Sequence, residues 1–82
     1  MNYIYSKSNC PYCDRAKSVF KKLGVQYEER VVGSDLTREE FFEKFPGCKT
    51  VPQIIVGDKH IGGYDNLLEW MENNDLRNFL AG

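Results

Sequence analysis

The chain has 82 residues, 41% hydrophobic and 13% aromatic, with a formal net charge of −1. Residues 1–82 leave room for a single domain whose net stability is roughly 5–10 kcal/mol, and the composition excludes a disordered segment. Lys and Arg do not gather into runs, so the basic footprint that phosphate neutralisation requires is missing and nucleic acid is not an expected partner.

Tyr3-Ile4-Tyr5 is rich in strand-forming types and runs into the polar Ser6-Lys7-Ser8-Asn9, which predicts a strand over residues 2–6 and then a loop. Pro11 suits the first position of a helix, Ala16, Val19, Phe20 and Leu23 recur at spacings of three and four, and Gly24 offers a C-terminal cap. Residues 25–32 read as a second strand through Val25, Tyr27, Val31 and Val32, although Glu28-Glu29-Arg30 interrupts the apolar pattern. Thr37-Arg38-Glu39-Glu40 fits a capping box, with Leu36 and Phe41 placed as a hydrophobic staple. Phe42 and Phe45 continue that helix, and Pro46 ends it.

Pro52-Gln53-Ile54-Ile55-Val56, the turn pair Gly57-Asp58 and Lys59-His60-Ile61 predict a hairpin. Gly62-Gly63 breaks it, and Asp65 is the expected cap of a last helix with Leu67, Leu68 and Met71 facing inward, followed by a short turn over residues 75–80. The order is β-α-β-α-β-β-α. Its opening β-α-β implies a right-handed parallel unit to which the hairpin adds antiparallel strands, an α/β fold with a four-stranded mixed sheet flanked by three helices.

No leader of charged, apolar and small residues precedes Met1-Asn2-Tyr3, and no apolar run approaches bilayer length, so a cytoplasmic location without membrane contact is expected. Of three cysteines, Cys10 and Cys13 form a C-x-x-C pair and Cys48 stands alone, which in a reducing compartment is a catalytic or metal-binding pattern rather than a disulfide framework. The predicted strand delivers Cys10 to the start of a helix, where unpaired N–H groups and the helix dipole favour a thiolate. Lys7, Arg15 and Lys17 add positive charge nearby. Pro11 fixes the turn so that Cys13 lies deeper but within disulfide range; the exposed Cys10 attacks and the inner Cys13 resolves. Zinc would need four ligands, and only Cys48 and His60 remain to complete the set.

Two further motifs can receive an extended ligand. A proline entering a strand at Thr50-Val51-Pro52 removes a ladder donor and, with a cis bond before it, leaves the Val51 backbone free to pair. At Gly62-Gly63-Tyr64-Asp65, glycines and free N–H groups at a helix start can hold a carboxylate. Attack of a thiolate on sulfur needs no general base, so His60 reads as a surface residue away from the cysteines. Cys48 is expected to be an inert small side chain, and Trp70 with the phenylalanines to be core packing.

Cys10-Pro11-Tyr12-Cys13, Thr50-Val51-Pro52 and Gly62-Gly63-Tyr64-Asp65, in that order across nearly the whole chain, resemble the dithiol glutaredoxins of the thioredoxin-like superfamily. The resemblance implies a thioredoxin-like fold, a cis Val51-Pro52 bond, and glutathione as co-substrate in a groove between the three motifs. It implies no tightly bound cofactor, no metal and a monomer. Cys10 and Cys13 match the catalytic cysteines, and Lys7 and Tyr12 match positions near the glycine carboxylate or thiol of the tripeptide. Thr50, Val51 and Pro52 match the turn whose Val51 backbone pairs with the cysteinyl unit. Gly63, Tyr64 and Asp65 match the γ-glutamyl end, where Asn66 stands in place of a second acidic residue. Lys44 and Lys49 are both candidates for a further contact to the glycine carboxylate.

The activity implied is glutathione-dependent reduction of protein disulfides and glutathionylated substrates, ribonucleotide reductase among them. The competing readings are a thioredoxin-like reductant fed by thioredoxin reductase and an iron–sulfur carrier using Cys10 and two glutathiones. The Pro11-Tyr12 interior of the pair argues against the first, and Pro11 with Cys13 against the second.

Overall fold

A computed structural model describes residues 1–48 and 50–74. Along them run β1 (Asn2–Ser6), α1 (Pro11–Lys22), β2 (Glu28–Val31), α2 (Arg38–Lys44), β3 (Gln53–Val56), β4 (Lys59–Gly62) and α3 (Tyr64–Met71), in the predicted order. The turn predicted over residues 75–80 lies outside the described residues.

β1 pairs in parallel with β2 and antiparallel with β3, and β3 pairs antiparallel with β4, giving an open mixed sheet of order β2-β1-β3-β4. Side-chain alternation along β1 and β3 divides the interior between the two faces. Ile4, Ile54 and Val56 pack with Ala16, Phe20, Val25 and Leu67 beneath α1 and α3. Tyr5 packs with Phe41 and Phe45 beneath α2. Burying each valine, leucine, isoleucine or phenylalanine among them contributes about 1.5–3 kcal/mol, so two small apolar layers hold the sheet from both sides. The expectation that the phenylalanines serve packing is met, with Phe42 left 41% exposed.

α1 is capped by Leu23 and followed by Gly24, whose φ of +70° places it in the left-handed region. Its N–H donates to the Lys21 carbonyl at 3.1 Å and the Val25 N–H donates to Phe20 at 2.9 Å, which satisfies two of the last helix carbonyls. Val25 is thereby the end of a helix cap rather than the start of a strand. β2 begins three residues later than predicted, at Glu28, and takes the charged Glu28-Glu29-Arg30 with it.

The capping box forms as read: Thr37 Oγ1 accepts from the Glu40 N–H at 3.1 Å and Glu40 Oε1 accepts from the Thr37 N–H at 2.9 Å. Asp65, however, is not the cap of α3. Gly62 leaves β4 at φ +116° and Gly63 becomes the N-cap, so Asp65 falls in the first turn. A Cβ on Gly62 would sit 3.0 Å from Asn66 Cγ, so both the conformation and the space require glycine there.

α1 is tied to the sheet through Glu29. Its carboxylate accepts from Ser6 Oγ at 2.6 Å and from Lys17 Nζ at 2.9 Å, and Lys17 also reaches Asp14 at 3.4 Å. The Ser6 hydroxyl, then the Lys17 ammonium, hold Glu29 below its ordinary 4.5, and the hydrogen bond to Glu29 holds Lys17 above 10.5. A depressed carboxyl contributes stability that is present above 4.5 and lost as pH falls through the folded value. A raised lysine contributes below 10.5 and loses that contribution as pH rises through its folded value. With partial exposure reducing the effect, Glu29→Gln is expected to cost about 1 kcal/mol at neutral pH. The gap from the parent chain should shrink in acid, and urea unfolding at neutral and acid pH measures it. An equal cost at both would mean that the Glu29 charge plays no part.

Candidate active site

Asn9 has a φ of +56°, a left-handed conformation that asparagine tolerates, and it turns the loop after β1 into Cys10. Cys10 is extended and is the N-cap of α1, with Pro11 as the first helical residue. Its Sγ accepts the Cys13 backbone N–H at 3.2 Å, the service a serine oxygen usually gives at a helix start. The two cysteines are joined in a disulfide with their Cα atoms 5.2 Å apart. Once reduced, the Cys10 sulfur faces the positive end of α1, which favours the thiolate.

The expectation of an exposed Cys10 needs correcting. Cys10 is 7% exposed and Cys13 1%, so both are buried and only the order of access is as predicted. The cover comes from the turn before β3: Cys10 Sγ lies 3.8 Å from the Val51 carbonyl oxygen.

The charges near Cys10 also differ from the reading of the sequence. Lys17 is engaged by Glu29 and Asp14. The Arg15 guanidinium lies 5.2 Å from the centre of the Tyr12 ring, a cation–π contact. Lys7 makes no ion pair among the described residues.

Val51-Pro52 is cis, as the resemblance implies. An open cleft of about 550 Å³ beside it is lined by Tyr12, Thr50, Val51, Pro52, Gly63, Tyr64 and Asp65. The Tyr12 and Tyr64 rings stand 6.1 Å apart on this cleft. A Cβ on Gly63 would come 3.7 Å from the Pro52 carbonyl oxygen, so the start of α3 runs close against the turn. A second hollow of about 290 Å³, lined by Lys7, Arg38, Phe41 and Phe42, shares Thr50 and Val51 with the first. Lys7, Tyr12, Thr50, Val51, Pro52, Gly63, Tyr64 and Asp65 each line one of two adjoining hollows that meet at the turn covering Cys10.

Lys44 is exposed on the last turn of α2 and lines neither hollow, and Lys49 lies outside the described residues. The cation that shares the second hollow with Lys7 is Arg38, which the reading of the sequence missed. Its position directly after the Thr37 cap was the available signal, since the capping box already located the helix start. His60 is exposed on β4, yet it lines the larger cleft and its Nε2 lies 2.7 Å from Gln53 Oε1, so it is not remote from the groove. Cys48 is free and half-buried, lining the same cleft and packing against the Tyr5, Phe41 and Phe45 cluster. Among the described residues, no group of three or more His, Cys, Asp and Glu side chains gathers as a metal would need, and no helix is long and apolar enough to cross a membrane.

The Glutaredoxin family model matches residues 3–61. The chain belongs to the glutaredoxin family. Glutaredoxin-C8 of Oryza sativa subsp. japonica is 45% identical over 83 residues, covering 94% of this chain and 60% of that protein. The chain thus spans three fifths of that relative's length. Glutaredoxin 3 of Escherichia coli (strain K12) is 42% identical over 64 residues, covering 78% of this chain and 77% of the relative. The crystal structure of a buckwheat glutaredoxin–glutathione complex matches with a TM-score of 0.80 at 31% identity, over 98% of this chain and 76% of that one. Reduced Escherichia coli glutaredoxin matches with a TM-score of 0.75 at 36% identity, over 89% and 94%. The fold is thioredoxin-like, and with its Cys10–Cys13 pair this glutaredoxin is a thiol–disulfide oxidoreductase.

After reduction, brief treatment with iodoacetamide at neutral pH should label Cys10 at least about 10-fold faster than Cys13 or Cys48. Mass spectrometry of the digested protein gives the order. Cys10→Ser should remove the fast phase, and Cys48 reacting first would contradict the assignment of the thiolate.

Proposed function

We propose that this glutaredoxin depends on glutathione and reduces glutathione mixed disulfides and protein disulfides, with Cys10 as nucleophile and Cys13 as resolving thiol. The observation that carries the reading is the position of the Cys10 sulfur, at the start of α1 and 3.8 Å from the Val51 carbonyl, where the two hollows meet. Glutathione is an extended tripeptide with a thiol in the middle and a carboxylate towards each end. The groove offers a matching sequence of groups.

In this reading Lys7 and Arg38 hold the glycine carboxylate, with Arg38 in the role for which Lys44 and Lys49 were candidates. The Val51 backbone, which ends no strand and pairs with no other backbone group among the described residues, meets the cysteinyl unit between Thr50 and Pro52. Gly63 caps α3 without a side chain, so the N–H groups at Gly63 and Tyr64 remain for the γ-glutamyl carboxylate and Asp65 for its ammonium. Tyr12 closes the groove over the sulfur. The glutathione bound to the buckwheat relative supports the same occupant here.

Two routes then follow from the cysteines. In the first, the Cys10 thiolate attacks the glutathione sulfur of a mixed disulfide, the substrate leaves as thiolate, and a second glutathione thiolate attacks glutathionylated Cys10 to release glutathione disulfide. In the second, Cys10 attacks a protein disulfide and the Cys13 thiolate displaces the product, leaving the internal disulfide seen here, which two glutathiones reduce. The proposed protein substrates carry accessible disulfides or glutathionylated cysteines, ribonucleotide reductase among those the family implies. The proposal takes the protein to work as a cytoplasmic monomer.

The test is glutathione-dependent reduction of a small mixed disulfide, coupled to glutathione reductase. Cys10→Ser should abolish turnover and Cys13→Ser should keep part of it. Lys7→Ala and Arg38→Ala should each raise the KM for the glutathionylated substrate about 3- to 10-fold with little change in kcat, as loss of a charge-assisted hydrogen bond implies. A parent protein inactive with glutathione but turned over by thioredoxin reductase would overturn the reading.

A further inference from the structure

We propose that Gln53 and His60 are positioning residues, which hold the Thr50 carbonyl and with it the turn that presents the Val51 backbone beside Cys10. The inference rests on the groove being the glutathione site, and it concerns two residues outside the motifs that identify that site.

Gln53 opens β3 and is only 5% exposed, so both ends of its amide must find partners. Its Nε2 donates to the Thr50 carbonyl oxygen at 2.9 Å. A carbonyl can only accept, so this bond fixes the amide orientation and leaves Oε1 facing His60. The His60 Nε2 lies 2.7 Å from that oxygen and must therefore carry the hydrogen it shares. The His60 ring is held in turn by Phe45, with centroids 4.8 Å apart, and Phe45 belongs to the layer beneath α2. A continuous line of contacts runs from the end of α2 through β4 and β3 to the turn.

The sheet is irregular where this line needs it to be. Gly62 stands opposite Ile54 but His60 stands opposite Ile55, so β4 carries one extra residue between those pairs. Continuing the first register would bring His60 opposite Val56, on the face beneath α1 and α3. The bulge moves His60 to the face that Gln53 shares. Among the described residues, no other hydrogen bond reaches the Thr50 carbonyl, and Thr50 and Val51 belong to no strand. Without the Gln53 amide, the residues that pair with the ligand have no polar attachment to the sheet behind them.

The experiment measures KM and kcat for a small glutathione mixed disulfide together with the alkylation rate of Cys10, in four proteins: the parent, Gln53→Met, His60→Phe and the double variant. Gln53→Met keeps the volume and removes both hydrogen bonds. It should raise KM about 10-fold while kcat and alkylation stay within about 2-fold. His60→Phe keeps a ring against Phe45 and removes the donor, and should raise KM about 3-fold. In the Gln53→Met background the same change at His60 should add nothing, because its effect passes through Gln53. Effects that multiply, an unchanged KM in Gln53→Met, or an alkylation rate that falls with affinity would each overturn the proposal. Should Gln53→Met fail to fold, an unchanged KM in His60→Phe alone would do so. A parent protein inactive with glutathione defeats the reading of the groove, whereas an active parent matched by both variants defeats only this inference.

Discussion

A helix start leaves backbone N–H groups unpaired, and in this protein the group that answers them is the sulfur of Cys10. One atom thus does two jobs. As the N-cap of α1 it stabilises the helix, and as the atom facing the helix dipole it is the one on which negative charge is least costly. The arrangement requires that the chain enter α1 at a fixed angle, and the left-handed Asn9 and the first-turn Pro11 supply that angle from either side. Cys13 follows because the third helical position is where an N-cap side chain reaches, so the hydrogen bond and the disulfide share one geometry.

The topology of the sheet brings the remaining parts to the same end. β1 delivers Cys10 from its C-terminal end, and β3 runs antiparallel beside it, with Gln53 opposite Tyr5, so the turn before β3 meets the loop after β1. β4 returns antiparallel to β3 and finishes with Gly62 opposite Ile54, which carries the start of α3 to that end as well. β2 is parallel to β1 and finishes with Val31 opposite Ser6, so the chain leading to Arg38 also leaves from there. Four connections distant in sequence converge because β1, β2 and β4 run in one direction and end there, while β3 runs in the other and begins there. The two small apolar layers hold those directions, and the site depends on the core through them.

This relation explains what could be read from the sequence and what could not. The helix α1, the capping box at Thr37 and the hairpin turn at Gly57 are set by contacts within a few residues, and each appears where the local pattern predicts it. The motifs around Cys10, Pro52 and Gly63 were legible as a set, through the family they resemble, rather than each through its local pattern. Asp65 missed its place as a cap because glycine, which carries no side-chain signal, took the turn first. Arg38, Gln53 and His60 were not legible as groove residues because their positions depend on where α2 and β4 dock. The one-residue bulge in β4 decides which face His60 occupies, and no short-range pattern in Lys59-His60-Ile61 encodes it.

The distribution of positive charge follows the same division between structure and site. The cations on α1 nearest Cys10 in sequence are held elsewhere: Lys17 joins the helix to β2 through Glu29, and Arg15 lies over Tyr12. The cations that border the groove, Lys7 and Arg38, come from a loop and from the start of a different helix. A lysine directly against the sulfur would stabilise the thiolate further but would also make it a poorer nucleophile, since nucleophilicity falls with basicity. With thiolate stabilisation left to the helix start, and the groove cations meeting the ligand's carboxylate as the proposed function has it, reactivity and affinity would be set by different residues. Under the proposed function, a change at Lys7 or Arg38 would then alter binding and leave the chemistry at Cys10 as it is.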